Sequence, residues 1–374
     1  MKGKILFVGG GTGGHIAPIV PVMQAVHELY GAEVEIGYAG LASDLTSPLL
    51  EEAKVPIQKM AVRAGKLHRH LTWNHFRQLG QFLGGFRDAA RLLRTFSPNV
   101  LFAKGGYVTL PLVMVARWRK IPIVGHESDA VPGLANRIIA RMADYMCTSF
   151  PPETYTAWFP LAKTVFTGQP VRTAFREAQP RPTQVGRKVI PADLPIVTVV
   201  GGSQGARRVN ELISACWERL AEEAVIVHAT GAAEHAEYQA LAKKLPLAIQ
   251  QRLVLSPFIT AELPALLQKS AVVVSRSGGM VAELAAARAC VILIPLSTSA
   301  QNHQWANAEV LAQAGAAATL DEREATPDRL SRQIRELLTP SNTSTTMRAA
   351  IYHFDRPNAA TDMANLLGRF LPKA

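Results

Sequence analysis

The sequence predicts an α/β protein of two Rossmann-like, doubly wound domains facing each other across a cleft, and three observations predict it. Short β-branched runs alternate with helical patterns along the whole chain, the order expected of parallel sheets with helices on both faces. The stretch 179–195 carries four prolines, Pro180, Pro182, Pro191 and Pro195, with several charges, and has the composition of a connector. After it the sequence strand, glycine turn, helix starts again, so the chain reads as two lobes and not as one long sheet.

The expected division is an N-terminal domain at 1–165, a linker at 166–195, a C-terminal domain at 196–344 and a closing helix at 345–374, with a return onto the first domain as one option. In the first lobe the apolar runs place strands at 4–9, 34–39, 100–103, 121–125 and 145–148. In the second they place strands at 196–200, 225–230, 253–256, 271–275, 290–295 and 316–320. No repeat of short period interrupts this order, which excludes solenoids and propellers.

A chain of 374 residues, 48% hydrophobic and 18% charged, is rich enough in apolar side chains to fold around its own cores. Its three cysteines, Cys147, Cys216 and Cys290, stand far apart and in no metal-ligand spacing, which argues against a zinc site and a disulfide scaffold and fits a reducing cytoplasm. Only Ile5 to Val8 precede the first glycine run, too short an apolar core for a signal peptide. The longest near-continuous apolar run, 107–116, contains a proline and is about half a membrane span, so membrane contact is expected to be peripheral. The 40 Lys and Arg against 29 Asp and Glu leave a net charge of +11, which favours anionic partners. No recognition-helix, zinc-finger or ribonucleoprotein signature accompanies that charge, so no nucleic acid partner is expected.

Glycine turns carry the chemistry. The first strand feeds Gly9-Gly10-Gly11-Thr12-Gly13-Gly14-His15, where glycines let the backbone turn sharply and bring N–H groups close to an anion. Gly9-x-Gly11-x-x-Gly14 also matches the dinucleotide fingerprint, which raises an NAD-dependent oxidoreductase as a rival. That fingerprint wants an acid at the end of the second strand to hold a ribose, and here the strand ends Tyr38-Ala39-Gly40 with no acid before Asp44. A second turn runs from Gly201 through Ser203 to Arg207 and a third from Ser275 to Met280, followed by Glu283 in the first turns of a helix. A carboxylate suits a ribose and not a diphosphate, because it can accept both hydroxyls at once. The segment Asn302-His303-Gln304-Trp305-Ala306-Asn307 gathers amides, which donate and accept and so discriminate sugar hydroxyls.

Taken together, Gly10 to His15, Gly105-Gly106-Tyr107, His126-Glu127-Ser128-Asp129 with Pro132 to Asn136, Gly168 to Arg172, Gly201 to Ala206, Ser277 to Glu283 and His303-Gln304-x-x-Asn307-Ala308 resemble the MurG family, in the same order. The resemblance runs from residue 4 to about 315. It implies an inverting, metal-independent GT-B glycosyltransferase with no cofactor, which moves N-acetylglucosamine from UDP-N-acetylglucosamine to lipid I and so makes lipid II for peptidoglycan. It implies a peripheral enzyme on the cytoplasmic face of the bacterial plasma membrane. It puts Thr12, Gly13 and Gly14 near the donor, Arg172 and Ser203 on the diphosphate, Ile259 on the uracil, Gly279 and Met280 beside the donor, Glu283 on the ribose, and Gln304 and Asn307 on the sugar hydroxyls. Tyr107, His126, Glu127 and Asn136 shape the acceptor side. His15 comes to the reaction centre, where an imidazole near its natural pKa suits a general base at neutral pH, with Asp129 and Glu127 as alternatives. No Asp-x-Asp metal motif occurs. Ser128-Asp129 stands where the family often has Gln-Asn, and the turn 276–283 is one residue shorter than usual. A neighbouring reading is another GT-B enzyme, such as a diacylglycerol glycosyltransferase, against which the block 126–136 favours lipid I.

One argument for a membrane surface needs no motif. Between Arg63 and Arg94 stand Arg63, Lys66, Arg69, Arg77, Arg87, Arg91 and Arg94 against the single acid Asp88. On a helix from about Thr72, Phe76, Leu79, Leu83, Phe86, Ala90 and Leu93 form one stripe, and Trp73, Arg77, Arg87, Arg91 and Arg94 share an adjoining arc. Such an arc beside an apolar stripe suits anionic phospholipid.

Overall fold

The structure, a computed structural model, describes residues 2–10, 13–51, 53–63, 74–201, 206–339 and 341–372, and for 13–14 and 74–83 the backbone alone. The chain divides into two compact units, Met1–Val171 with Arg356–Ala374, and Arg172–Asp355.

The first unit holds seven strands: β1 (Gly3–Val8), β2 (Val34–Gly40), β3 (Ile57–Ala61), β4 (Val100–Ala103), β5 (Ile123–Glu127), β6 (Tyr145–Thr148) and β7 (Thr164–Phe166). They form one parallel sheet in the order β3-β2-β1-β4-β5-β6-β7. The order reverses between β1 and β4, and such a switch point opens a crevice at the carboxyl ends of the strands. Ile5, Leu6, Phe7 and Val8 are all fully buried, which explains why this central strand is a continuous apolar run without alternation. Ile5 and Phe7 share a core with Ile19, Met23 and Val26 of the helix Ile19–Tyr30 and with Met363 and Leu367 of the helix Ala359–Gly368.

The second unit repeats the plan after a two-stranded hairpin, β8 (Gln184–Val185) and β9 (Lys188–Val189). Its strands are β10 (Ile196–Val200), β11 (Val225–Ala229), β12 (Leu253–Ser256), β13 (Val272–Ser275), β14 (Val291–Leu293) and β15 (Ala318–Thr319). They form a six-stranded parallel sheet in the order β12-β11-β10-β13-β14-β15. Val197 and Val199 pack with Leu212, Ile213, Trp217, Leu330, Ile334 and Met347. The helix Pro327–Leu338 starts where Thr326 accepts from the Arg329 N–H and Pro327 takes the first helical position.

Three elements differ from the sequence reading. β3 and β7 are edge strands with no continuous β-branched run: β3 exposes Gln58 and Lys59, and β7 is three residues long. The proline-rich stretch 179–195 belongs to the second unit and contains the hairpin, turned at Gly186 with φ +56°. The closing segment is two helices and not one. Asn342–Tyr352 belongs to the second unit and Ala359–Gly368 to the first, with Pro357 in the break between them.

Candidate active site

In the first unit, the loops after β1, β2, β4 and β5 meet at the carboxyl ends of the strands. The Tyr38 hydroxyl donates to the Gly9 carbonyl at 2.5 Å. At Gly10 a β-carbon would lie 2.1 Å from Oδ2 of the buried Asp44, so only glycine fits. Asp44 also accepts from the Leu41 N–H at 2.8 Å.

His15 sits in the short helix Gly13–Ile16, half-buried, with Nδ1 3.1 Å from the Gly10 carbonyl. A carbonyl only accepts, so Nδ1 carries the proton and Nε2 keeps the lone pair. Burial pushes the imidazole pKa down from 6.5 to about 4, and the Lys104 charge pushes the same way, while the Gly10 carbonyl, Asp129 and Asp44 pull it up. Gly106, with φ +83°, would bring a β-carbon 3.4 Å from the His15 Cε1. Tyr107 beside it is half-buried, and burial and the Asp44 charge raise its hydroxyl pKa.

Glu127 is buried with both carboxylate oxygens engaged. Oε1 accepts the Asp129 N–H at 2.9 Å, and Oε2 accepts the Gly133 N–H at 3.1 Å and Asn136 Nδ2 at 2.8 Å. Burial and the Asp129 charge raise its pKa. It therefore staples the loop 128–133 into shape. Asp129 itself is half-buried, and its carbonyl accepts from the Tyr155 hydroxyl at 3.0 Å.

The expected acceptor residues His126 and Asn136 are both buried. His126 is 0% exposed, its Nε2 donates to the Gly168 carbonyl at 3.2 Å, and burial holds its pKa well below 6.5. Asn136 is buried, donates to the His126 carbonyl at 3.1 Å, and stands where a β-carbon at Gly105 would approach its Oδ1 to 2.8 Å. Among the described residues, His126 Nδ1 and Asn136 Oδ1 are buried without a hydrogen-bond partner. Each lies on a strand or helix that the sheet packs shut, which spacing alone does not reveal.

In the second unit the same edge gathers the donor candidates. The turn after β13 leads into the helix Val281–Ala286, with Gly279 exposed and Met280 half-buried. Ser277 Oγ donates to the Gln304 carbonyl at 2.7 Å, and Asn307 Nδ2 donates to the Ser277 carbonyl at 2.8 Å. Arg276 donates to the Ile294 carbonyl at 2.9 Å and pairs with Glu322, whose other oxygen accepts the Ser297 N–H at 2.8 Å. Gln304 Oε1 accepts the Leu296 N–H at 2.9 Å. Glu283 is half-buried, and burial pushes its carboxyl from 4.5 up to about 7, against the pull of the Arg172 charge. Arg172 is exposed, with its guanidinium 5.1 Å from the Phe175 ring centre.

Two donor candidates are also buried, Asn307 and Ile259. Asn307 is buried and its Nδ2 braces the turn 276–280 at the Ser277 carbonyl. In the loop after β12 the Ile259 side chain is buried, while Phe258 is half exposed. Thr12 and Ser203 lie outside the described residues, as do Lys66, Arg69 and Trp73 of the basic segment; Gly13 and Gly14 are described by their backbone in the short helix.

Sequence reasoning missed Lys104, the Arg276–Glu322 pair and Trp118. The first had a readable signal, a lysine closing the apolar run 100–103 just before two glycines. Trp118 is 80% exposed at the end of the helix Thr109–Trp118, amid exposed Arg117, Arg119 and Lys120. That helix packs on the helix Asn74–Phe96, which buries Ala89, Leu92, Leu93 and Phe96 and exposes Arg87, Arg91 and Arg94. The side chains of Phe76, Arg77, Leu79 and Leu83 lie outside the described residues. Arg63 pairs with Asp88 at 2.7 Å. Among the described residues, no helix is long and apolar enough to cross a membrane, and no group of three or more His, Cys, Asp or Glu side chains could hold a metal ion.

Residues 5–148 match the Glycosyltransferase family 28 N-terminal domain and residues 196–365 the Glycosyltransferase family 28 C-terminal domain. A relative from Treponema pallidum (strain Nichols), named UDP-N-acetylglucosamine--N-acetylmuramyl-(pentapeptide) pyrophosphoryl-undecaprenol N-acetylglucosamine transferase, is 36% identical over 98% of this chain and 95% of its own. One of the same name from Desulforamulus reducens is 30% identical over 99% of each. Among solved structures, the crystal structure of Acinetobacter baumannii MurG superposes with a TM-score of 0.73 at 26% identity, over 99% of this chain and 100% of that one. The two parallel-sheet units are those of a GT-B glycosyltransferase, as the resemblance implied. With sheet order, glycine turns and near-full-length relatives in agreement, the chain belongs to the MurG family of UDP-sugar glycosyltransferases.

Proposed function

We propose that this chain transfers N-acetylglucosamine from UDP-N-acetylglucosamine to the C4 hydroxyl of the N-acetylmuramyl residue of lipid I, with inversion, to give lipid II. Membership of the family supports the reaction, and the His15 geometry is the observation that carries the mechanism. With Nδ1 held by the Gly10 carbonyl, Nε2 carries the lone pair; burial lowers the pKa to about 4, below the near-natural value the sequence led one to expect, so the imidazole is unprotonated throughout the neutral range but a weaker base. It takes the proton of the attacking hydroxyl as the new bond to the anomeric carbon forms and the bond to the diphosphate breaks.

Asp129 is the second candidate, because Glu127 spends both oxygens on its own loop. The donor reading gives the diphosphate to Arg172 and Ser203, places Thr12, Gly13 and Gly14 near the donor, and gives the charge that grows on the leaving UDP to Arg172. It gives the ribose to Glu283, the uracil to the Ile259 main chain, and the sugar to Gln304 beside Gly279 and Met280, with Asn307 bracing them. Tyr107 meets the acceptor, over His126 and Asn136.

The second part of the reading is peripheral attachment to an anionic membrane surface, the cytoplasmic face of the bacterial plasma membrane. Trp118 among Arg117, Arg119 and Lys120 supports it, together with the exposed Arg87, Arg91 and Arg94 of the helix on which the Trp118 helix packs. An exposed indole settles at a headgroup boundary, and each nearby cation adds about 1 kcal/mol on anionic lipid.

Thermal denaturation with added ligand tests the donor reading. UDP and UDP-N-acetylglucosamine raise the melting temperature, by about 2.7 kcal/mol of stability at a hundredfold excess over Kd, and NAD does not. A rise with NAD alone contradicts it.

A further inference from the structure

Lys104 follows β4 in the middle of the first sheet and is 3% exposed. A buried ammonium is unfavourable unless charges and hydrogen bonds answer it. Nζ donates to the Ser128 hydroxyl, the first residue of the loop after β5. The main-chain N–H donates to the Val8 carbonyl at 2.9 Å, and the Lys104 Cβ lies 3.2 Å from where a β-carbon at Gly9 would stand. The residue thus touches the glycine turn that carries His15 on one side and the Ser128 loop on the other. Burial lowers the Lys104 pKa, and the Glu127 and Asp129 carboxylates pull it back up in favour of the ammonium.

We propose that Lys104 is a positioning residue of this site: its buried ammonium fastens the loop that begins at Ser128 and supplies the positive charge around which His15, Glu127 and Asp129 are arranged. The inference deepens the transferase reading, and its kinetic part rests on that reading. Lys104 has two effects, one mechanical and one electrostatic. Through Ser128 it pins the loop that Glu127 holds at Asp129 and Gly133. Its charge offsets two neighbouring carboxylates and opposes protonation of the imidazole, so that a site crowded with acids still presents an unprotonated base.

Among the described residues, Glu127 on β5 and Asp129 after it act on Lys104, Lys104 acts on His15 after β1 and on His126 of β5, and Asp44 after β2 also acts on His15. Of these, Asp129 and Asp44 favour a proton on His15 and Lys104 disfavours it. Loss of the ammonium therefore leaves the acids unopposed.

The test is an NMR titration of the histidine-labelled full chain, with the His15 signal assigned by its absence in His15→Gln. Lys104→Met raises the His15 midpoint by about one pH unit or more. Lys104→Arg, which keeps the charge, and Ser128→Ala, which removes only the hydroxyl, leave the midpoint near the wild-type value. Lys104→Gln carries the same test if the Met variant does not fold. Hydrogen exchange reads the mechanical effect: Ser128→Ala speeds exchange at the N–H groups of 129–133. An unchanged His15 midpoint in a folded variant without the ammonium, or unchanged exchange in Ser128→Ala, overturns the proposal. Neither readout needs substrate, so neither depends on the transferase reading. In turnover, Lys104→Met moves the acid limb of kcat upward by about one pH unit, with a loss of about threefold at pH 4.5, little loss at pH 6 and little change in KM for UDP-N-acetylglucosamine. A wild-type protein that transfers no sugar counts against the transferase reading alone.

Discussion

Arg276 and Glu322 form a buried ion pair, with Nη2 2.5 Å from Oε1, that ties the turn after β13 to the segment after β15. The same carboxylate accepts the Ser297 N–H, so one acid anchors two loops at the carboxyl edge of the second sheet.

Removing either partner strands the other. Arg276→Ala is expected to destabilise the protein by about 3–5 kcal/mol, read by denaturant unfolding. Burial pushes the Glu322 carboxyl up, but the Ser297 N–H and the Arg276 guanidinium together outweigh it and leave the pKa below 4.5. A depressed carboxyl pKa gives stability that is present above about pH 4.5 and lost as pH falls through the lowered value. Glu322→Gln flattens that acid limb, and an unchanged limb contradicts the pairing.

For His15, the expectation is kinetic. His15→Ala lowers kcat by about a hundredfold to ten-thousandfold and changes UDP affinity less than about twofold. Because the imidazole titrates near 4, the acid limb it causes in kcat lies well below pH 6.5. An acid limb centred near 6.5, or wild-type turnover in the variant, removes His15 as the base.

Glu283 sets function against stability. Its carboxyl binds a proton up to about pH 7 in the folded chain but only to about 4.5 when unfolded, so stability declines as pH rises through that interval. Glu283→Gln therefore raises the melting temperature at pH 8, by on the order of 1 kcal/mol after discounting for partial exposure. The same variant weakens UDP binding by about tenfold to a hundredfold. In the wild type, UDP binds more tightly as pH rises through about 7, because the ionised carboxylate holds both ribose hydroxyls. Calorimetry at pH 6 and pH 8 checks this, and a pH-independent Kd contradicts the ribose role.

The membrane surface is tested by vesicle co-sedimentation. Wild-type protein binds phosphatidylglycerol vesicles and is released by salt, and Trp118→Ala with Arg117→Glu and Arg119→Glu loses most of that binding. Binding that ignores both salt and these substitutions points to another surface.

The central strands could be read from the sequence because burial on both faces leaves no polar residue in runs such as Ile5 to Val8. Edge strands such as β3 carry Gln58 and Lys59 on a solvated face and look like loop. Glycine turns were readable for a steric reason, seen at Gly10 against Asp44 and Gly105 against Asn136. Burial of individual polar side chains was not, since His126, Asn136 and Asn307 sit inside the fold and bond there to main chain or to Glu127. The Arg276–Glu322 pair spans 46 positions, a distance that no local pattern encodes.

The most direct measurement is transfer of radiolabelled N-acetylglucosamine from UDP-N-acetylglucosamine to a lipid I analogue by the purified chain, with UDP-glucose and diacylglycerol as competing donor and acceptor. Label appears in a lipid II product of inverted configuration, and neither competitor supports comparable transfer. Transfer to diacylglycerol in preference to lipid I, or no transfer from UDP-N-acetylglucosamine by folded protein, contradicts the account.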